Sequence, residues 1–261
     1  MSGDGTVDLT TRVGSVVLPN PVMTASGTAG HGAELSAYLD LAALGAVVVK
    51  SLAAFPWAGN PPLRVHETEA GMINSVGLQG PGVEAWLTHD LPALAATGAR
   101  VVASIWGRSV AEYEAAAQLL ADAPDCVVAV EVNLSCPNTE AARDLFAHSA
   151  SATHDAVAAA AACGRPRWAK LSPNVTDLVP IADAARAAGA EAVTLVNTVL
   201  GMAIDPETGA YRLGSGERGG GLSGPAIHPV AVRAVHDVHA ALPDLPIVGV
   251  GGVARGEDAA E

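Results

Sequence analysis

The sequence has 261 residues, of which 50% are hydrophobic, 16% are charged and only 3% are aromatic. This composition excludes a disordered chain and predicts a core of aliphatic side chains. The 27 acidic and 14 basic residues give a net charge of −13, which argues against a duplex nucleic-acid binder and against docking on anionic lipid.

The sequence contains no candidate membrane span, because its apolar runs are rich in alanine and fall short of about 20 strongly hydrophobic residues. Its first residues, MSGDGTVDLTTRVG, have neither the basic nor the apolar part of a secretory signal. The three cysteines, Cys126, Cys136 and Cys163, are widely spaced, form no zinc motif and suit a reducing compartment. We therefore expect a cytoplasmic globular protein.

Short β-branched segments alternate with alanine-rich amphipathic segments, which predicts an α/β fold with a parallel sheet covered on both faces. The opening VDLTTRVGSVVLPNP predicts a hairpin. This pattern favours one domain over residues 1–261, a (β/α)₈ TIM barrel, with a doubly wound sheet as the alternative. The predicted strands are Val22–Ser26, Ala46–Ser51, Val101–Trp106, Val127–Ser135, Trp168–Ser172, Ala192–Thr198 and Ile247–Gly251.

Two segments rich in Gly, Pro and Asn, residues 55–82 and 199–225, each follow a predicted strand and are expected at the catalytic face. The chain ends shortly after the seventh predicted strand, where a helix begins. We therefore expect that the last β/α unit of the barrel is missing through C-terminal truncation.

The chain has only two lysines, Lys50 and Lys170, and both lie at the carboxyl ends of predicted strands. This placement predicts that they hold an anionic substrate, a flavin or a phosphate, or that one forms a Schiff base. Chance placement is the alternative.

Cys136 lies in VEVNLSCPNTE, directly after the fourth predicted strand. A thiolate there can serve as a general base or a nucleophile, although most lone cysteines are small core residues. Amide side chains also fall in loops after predicted strands or in the first insertion: Asn74, Gln79, Asn133, Asn174 and Asn197. Convergent amides suit a polar ring, and hydrogen bonding to the loop backbone is the alternative.

Two glycine clusters, RGGGLSGPAI (218–227) and IVGVGGV (247–253), precede predicted helices. Flexible backbone N–H groups before a helix favour a phosphate, and barrel enzymes bind phosphate in this late part of the chain. Tight turns would also explain the glycines.

Taken in order from residue 20 to 253, eight segments together resemble class 1 dihydroorotate dehydrogenases, in particular the catalytic subunit of the NAD-linked type. The motifs NSVGLQ and NLSCPN are the most specific, and Cys at position 136 is similar to the soluble class. The segments are NPVMTASGTAG (20–30), VVVKS (47–51), GNPPLRVHETEAGMINSVGLQGPG (59–82), EVNLSCPNT (131–139), AKLSPNVTD (169–177), LVNTVLGM (195–202), GGGLSGPAI (219–227) and IVGVGGV (247–253).

The resemblance implies an FMN enzyme that oxidises dihydroorotate to orotate in pyrimidine biosynthesis, with no metal ion. Cys136 would remove the C5 proton of the substrate while hydride leaves C6 for flavin N5. The implied substrate site is Lys50, Asn74, Ser75, Val76, Gly77, Leu78, Asn133, Asn197 and Thr198. The implied FMN site is Ser26, Lys50, Ser51, Ser104, Asn133, Lys170, Val196, Gly224, Gly251 and Gly252.

The chain departs from the family pattern at Ser104, where Asn is common. The resemblance leaves the electron acceptor open: NAD through a separate iron–sulfur and FAD subunit, or fumarate. It implies a homodimer or a heterotetramer. The alternatives are a dihydropyrimidine dehydrogenase-like flavoenzyme, a Schiff-base or phosphate-sugar lyase using Lys170, and a scaffold domain without cofactor.

Overall fold

The computed structural model describes residues 7–135 and 146–261. Within these residues, strands and helices alternate as expected for an α/β fold. The strands are β1 (Thr11–Val13), β2 (Val16–Leu18), β3 (Val47–Val48), β4 (Val65–Thr68), β5 (Gly71–Asn74), β6 (Val101–Ile105), β7 (Val127–Asn133), β8 (Arg167–Lys170), β9 (Ala192–Leu195), β10 (Val199–Gly201), β11 (Gly220–Ser223) and β12 (Ile247–Gly249). The helices are α1 (Val83–Ala85), α2 (Leu91–Ala96), α3 (Val110–Leu119), α4 (Ala150–Ala159), α5 (Val179–Ala187), α6 (His228–Ala241) and α7 (Gly256–Ala260).

The central element is a six-stranded parallel sheet with the order β12-β9-β8-β7-β6-β3. Each of its strands coincides with a predicted one, although all six are shorter than predicted. Polar side chains stand at the carboxyl ends of β7 and β8, where Asn133 pairs in register with Lys170. These strand ends form the edge at which α/β enzymes place their sites.

The predicted strand Val22–Ser26 is not a regular strand; a single parallel bridge joins Met23 to Ala46. The Thr24 side chain explains the difference. Its Oγ1 accepts a hydrogen bond from the Val48 backbone N–H at 2.8 Å, and its hydroxyl also lies 3.3 Å from the Val48 carbonyl oxygen. A hydroxyl therefore takes the place of backbone groups that a regular ladder would use.

The two faces of the sheet pack into separate cores. On the inner face, side chains of five strands meet the hairpin β1–β2 in one cluster that includes Leu18, Val48, Val102 and Trp168. Because one hairpin contacts so many strands, the sheet curls around it as in a barrel. The predicted barrel class and N-terminal hairpin are thereby confirmed. The outer face packs under the helices in a larger aliphatic core.

The two insertions pair with each other in a four-stranded antiparallel sheet of order β10-β11-β5-β4. Asn74 of the first insertion stands opposite Gly221 of the second. Among the described residues, no helix is both long enough and apolar enough to cross a bilayer.

Candidate active site

The polar residues at the carboxyl edge of the parallel sheet line one continuous cavity. Lys50 follows β3, Asn133 ends β7, Lys170 ends β8 and Asn197 follows β9, and all four border this cavity. Its volume is about 2190 Å³, because it continues along the open side of the sheet to the N-terminal hairpin. The insertion sheet covers it through Asn74 and neighbouring residues.

The two lysines give the cavity positive charge within an acidic protein. Lys170 is only 5% exposed. Among the described residues, no carboxylate oxygen lies within 4.0 Å of its ammonium nitrogen, the limit for an ion pair. The ammonium group of Lys50 lies 3.7 Å from where a Cβ on Gly27 would stand, beside the loop after Met23. A buried cation is stabilised by an anionic partner, so this arrangement favours an anionic or electron-rich ligand.

A chain of hydroxyl and amide groups forms one wall of the cavity. The hydroxyls of Ser26 and Ser51 are 3.2 Å apart, and Asn133 Nδ2 donates to Ser51 Oγ at 3.1 Å. On its other side, Asn133 Oδ1 accepts from Asn197 Nδ2 at 3.2 Å. Asn197 Oδ1 in turn accepts from the Thr198 backbone N–H at 2.8 Å. The amides that the sequence suggested are thus brought together by hydrogen bonds between strands.

The segment Asn74–Gln79, in the later part of the first insertion, also lines the cavity and is held by earlier residues of that insertion. Asn60 Nδ2 donates to Ser75 Oγ at 2.8 Å, and Trp57 Nε1 donates to the Gly77 carbonyl oxygen at 3.0 Å. Leu78 has a left-handed φ of 63°, which is rare outside glycine. Such a conformation persists only where the surroundings enforce it, and it is typical of ligand-binding loops.

The late glycines line the same cavity and leave no room for side chains. Gly252 has φ +69°, and a Cβ there would lie 2.8 Å from both the Gly224 carbonyl oxygen and His228 Cβ. A Cβ on Gly224, with φ +96°, would lie 2.8 Å from Gly71 Cα. These glycines therefore bring bare backbone to the cavity beside the first turn of α6, a favourable environment for a phosphate.

Of the residues predicted for the site, Cys136 lies outside the described residues, and Ser104 lies behind the cavity wall. Ser104 is fully buried, and its hydroxyl contacts Ser51 and Glu131. All the others border the cavity: Ser26, Lys50, Ser51, Asn74, Ser75, Val76, Gly77, Leu78, Asn133, Lys170, Val196, Asn197, Thr198, Gly224, Gly251 and Gly252.

An aromatic cluster next to the cavity was not predicted from the sequence. Phe55, Trp57 and Trp106 make mutual edge contacts with ring centroids 6.0 to 6.3 Å apart. The Arg108 guanidinium lies 5.0 Å from the centroids of both Phe55 and Trp57. Only 3% of the residues are aromatic, so the closely spaced Phe55 and Trp57 in the first insertion were the sequence signal that could have predicted this cluster.

His31 was also missed, although it lines the cavity. Its Nε2 is buried and has no hydrogen-bond partner among the described residues. Burial lowers the pKa of His31, outweighing the neighbouring carboxylates of Asp90 and Glu34, and Lys50 lowers it further. Within the described residues, no three His, Cys, Asp or Glu side chains are grouped closely enough to hold a metal ion.

A curled parallel sheet with a polar, cation-lined site at its carboxyl edge defines an enzyme of the α/β barrel class. The family model described as dihydroorotate dehydrogenase matches residues 8–261. The chain therefore belongs to the dihydroorotate dehydrogenase family, which confirms the resemblance seen in its motifs. The family is flavin-dependent.

Curated relatives include proteins named for two electron acceptors. The chain is 47% identical to the "Dihydroorotate dehydrogenase B (NAD(+)), catalytic subunit" of Alkaliphilus oremlandii (strain OhILAs), over 95% of this chain and 81% of that protein. It is 49% identical to the protein of the same name from Desulforudis audaxviator (strain MP104C), over 95% and 80%. It is 45% identical to the "Putative dihydroorotate dehydrogenase A (fumarate)" of Solibacter usitatus (strain Ellin6076), over 98% and 83%.

Proposed function

We propose that this chain oxidises dihydroorotate to orotate in pyrimidine biosynthesis, using FMN. The observation that carries the proposal is the convergence of Lys50, Lys170 and the Asn133–Asn197 amide pair on one cavity, in a chain of this family. When bound, FMN supplies the chemistry of hydride acceptance.

The residues present fit FMN. Gly224, Gly251 and Gly252 form a cradle that side chains would fill, next to the N-terminus of the 14-residue helix α6, and they would hold the phosphate. Lys170 is a buried cation in the cavity and would stabilise the negative charge of the reduced ring. Ser26 and Ser51 would meet polar groups of the same ring.

The substrate would lie between Asn74–Leu78 on one side and Asn133, Asn197 and Thr198 on the other. Its ring has both N–H and C=O groups, which amides bind as acceptors and donors. Its carboxylate requires a cation, and Lys50 stands beside the loop at Gly27. A lysine with this placement serves the substrate and the cofactor together when the two rings stack.

Cys136 would be the base that takes the C5 proton of dihydroorotate. It directly follows Ser135, which lines the cavity at the end of β7. A thiol serves as a base when its pKa is close to the working pH, and a nearby lysine lowers the pKa of a thiol. The two remaining thiols are unsuited to this task, since burial raises the pKa of both Cys126 and Cys163.

For the electron acceptor, we propose the NAD-linked arrangement, in which a separate iron–sulfur and FAD subunit receives electrons from this chain. The names of the relatives from Alkaliphilus and Desulforudis, which specify NAD(+) and a catalytic subunit, support this arrangement. The fumarate name of the Solibacter relative makes direct reduction of fumarate the alternative. Addition of fumarate to the reduced protein, without a partner, separates them: reoxidation supports the alternative.

The test is an absorption spectrum of the protein supplied with FMN, followed by anaerobic addition of dihydroorotate. We expect a bound flavin band that bleaches on addition. Cys136→Ala should slow the bleaching by roughly 10²–10⁴-fold while orotate still binds. Cys126→Ala, which removes a different thiol, is the matched control and should bleach at the normal rate. A protein that holds FMN but is not reduced by dihydroorotate would refute the proposal.

A further inference from the structure

A buried acid without an assigned role lies behind the cavity wall. Glu131 is in the middle of β7, is 2% exposed and does not border the cavity. No ion pair joins it to another side chain in the described part of the chain. The hydroxyl of Ser104, on the neighbouring strand β6, donates to its Oε1 at 3.1 Å. A carboxylate is costly to bury with so little compensation, so its presence calls for an explanation beyond stability.

The acid fixes the direction of a chain of hydrogen bonds, because a carboxylate can only accept. The Ser104 hydroxyl therefore donates its one hydrogen to Glu131 and can only accept from Ser51, whose Oγ is 2.9 Å away. The Ser51 hydroxyl in turn donates to Ser104 and so can only accept from Asn133 Nδ2, at 3.1 Å. The donor and acceptor role of each hydroxyl thus sets the role of the next residue in the chain.

At the cavity, this polarity decides which way the Asn133 amide faces. With Nδ2 turned towards Ser51, Oδ1 accepts from Asn197 Nδ2 and from the Ser135 backbone N–H, both at 3.2 Å. The opposite orientation would set donors against donors at Asn197 and at Ser135. Glu131 on one side and the Ser135 N–H on the other therefore specify the same amide orientation.

We infer that Glu131 is a positioning residue, which acts through Ser104 and Ser51 to fix the donor and acceptor pattern that Asn133 and Asn197 present to the substrate ring. The inference rests on the proposed function for the identity of that ring. Ser104, predicted as an FMN contact, then serves as the link between the acid and the wall. The sequence places an acid two residues before Asn133 on the same face of the strand, which agrees with this role.

Three variants test the inference. Glu131→Leu removes the acceptor, Ser104→Ala breaks the link while keeping the acid, and Glu131→Gln keeps an acceptor oxygen without the charge. The readouts are the Kd of orotate from the change it causes in the flavin spectrum, the Kd of FMN, and the Tm. We expect Glu131→Leu and Ser104→Ala to weaken orotate binding about 10-fold, the loss of one oriented hydrogen bond at an amide pair. Glu131→Gln should stay within about 3-fold of the wild type.

Replacing a weakly compensated buried acid should leave the Tm unchanged or raise it. Weaker orotate binding at such a Tm therefore reflects lost positioning and not lost stability. Unchanged orotate binding in both Glu131→Leu and Ser104→Ala would overturn the inference, as would Glu131→Gln binding as weakly as Glu131→Leu. Should Glu131→Leu not fold, Ser104→Ala decides alone, since it only removes one oxygen.

A second readout does not depend on the ligands. The side-chain amide NMR signals of Asn133 and Asn197 should shift in Ser104→Ala and not in Glu131→Gln. The signal of Asn20 is the internal reference, because its Nδ2 donates to the Ala43 carbonyl oxygen at 2.8 Å and takes no part in this hydrogen-bond chain. If the wild type fails to bind FMN or orotate, the proposed function fails, while these signals still test the role of Glu131. Unmoved Asn133 and Asn197 signals in Ser104→Ala would contradict that role.

Discussion

Asn133 and Lys170 stand opposite each other in register at the carboxyl ends of β7 and β8. Side chains at paired positions of neighbouring parallel strands point to the same face, so an amide and a buried cation reach the cavity side by side. The amide belongs to the wall proposed for the substrate, and the cation to the one proposed for the flavin. This pairing places the two proposed sites next to each other.

The first prediction concerns the charge of Lys170. In Lys170→Met, we expect a more negative midpoint potential of bound FMN and flavin reduction slower by about 10²–10³-fold, because a preorganised cation no longer stabilises the charge on the reduced ring. Lys170→Arg should retain part of both. Potentiometric titration and stopped-flow absorption measure the two effects.

Arg12→Gln is the control for Lys170. It removes one positive charge from the cavity lining at the N-terminal hairpin, away from the carboxyl ends of the parallel strands where Lys170 lies. A potential that is unchanged in Lys170→Met, or shifted equally in Arg12→Gln, would contradict the role of Lys170.

The second prediction concerns the glycine cradle. Gly252→Ala should raise the Kd of FMN at least about 10-fold, because the new methyl group would stand 2.8 Å from the Gly224 carbonyl oxygen and force the backbone apart. Fluorescence titration of FMN into the protein measures the effect. Gly209→Ala is the matched control, since Gly209 has almost the same φ, +70°, with no atom within 4 Å of a Cβ. Equal loss of FMN affinity in both variants would show that backbone strain alone, and not the cradle, is responsible.

The third prediction concerns Trp57, which holds the segment Asn74–Gln79. Trp57→Phe keeps an aromatic ring against Phe55 and Trp106 but removes the N–H that donates to Gly77. We expect the KM for dihydroorotate to rise about 3- to 10-fold with little change in kcat, because one hydrogen bond that orders a binding loop is lost. Steady-state kinetics test this.

Tyr38→Phe is the comparison for Trp57, because it also removes one aromatic donor but from a residue that is 85% exposed. Its KM should be that of the wild type. A fall in kcat at constant KM in Trp57→Phe would assign the tryptophan to the chemical step and contradict a role in binding.

The fourth prediction concerns pH and His31. Burial lowers the pKa of His31 from 6.5, so below pH 6.5 the unfolded chain takes up a proton before the folded protein does. The free energy of unfolding therefore falls as the pH drops from about 6.5 towards the lower pKa of the folded state. His31→Gln should reduce the difference in Tm between pH 7.5 and pH 5.5, as measured by calorimetry.

His89→Gln is the control for His31, because it makes the same substitution at an exposed histidine, and the difference should fall more in His31→Gln than in this control. The difference, and not the absolute Tm, is the test, since glutamine at a half-buried site also changes packing. An undiminished pH dependence in His31→Gln would show that another group titrates.

The sequence by itself predicted the fold class and most of the residues that border the candidate cavity. Largely apolar segments such as Val101–Ile105, in which Ser104 is the one polar residue, are buried on both faces, and this local pattern is sufficient to predict a parallel sheet. The two lysines and the asparagines could be predicted for one edge because parallel strands bring their carboxyl ends together. The prediction of a regular strand over Val22–Ser26 was wrong, because the hydrophobic pattern does not show that the Thr24 hydroxyl replaces backbone groups of the ladder.

The tertiary structure alone decided how distant segments combine. Asn74 and Gly221 are 147 residues apart, and their pairing in one sheet depends on the path of both insertions, which no local period encodes. The same holds for Ser104, whose hydroxyl lies between Ser51 and Glu131 behind the wall. Side-chain alternation tells which residues face inward, but the depth at which each one meets its neighbours follows from strand register and sheet curvature.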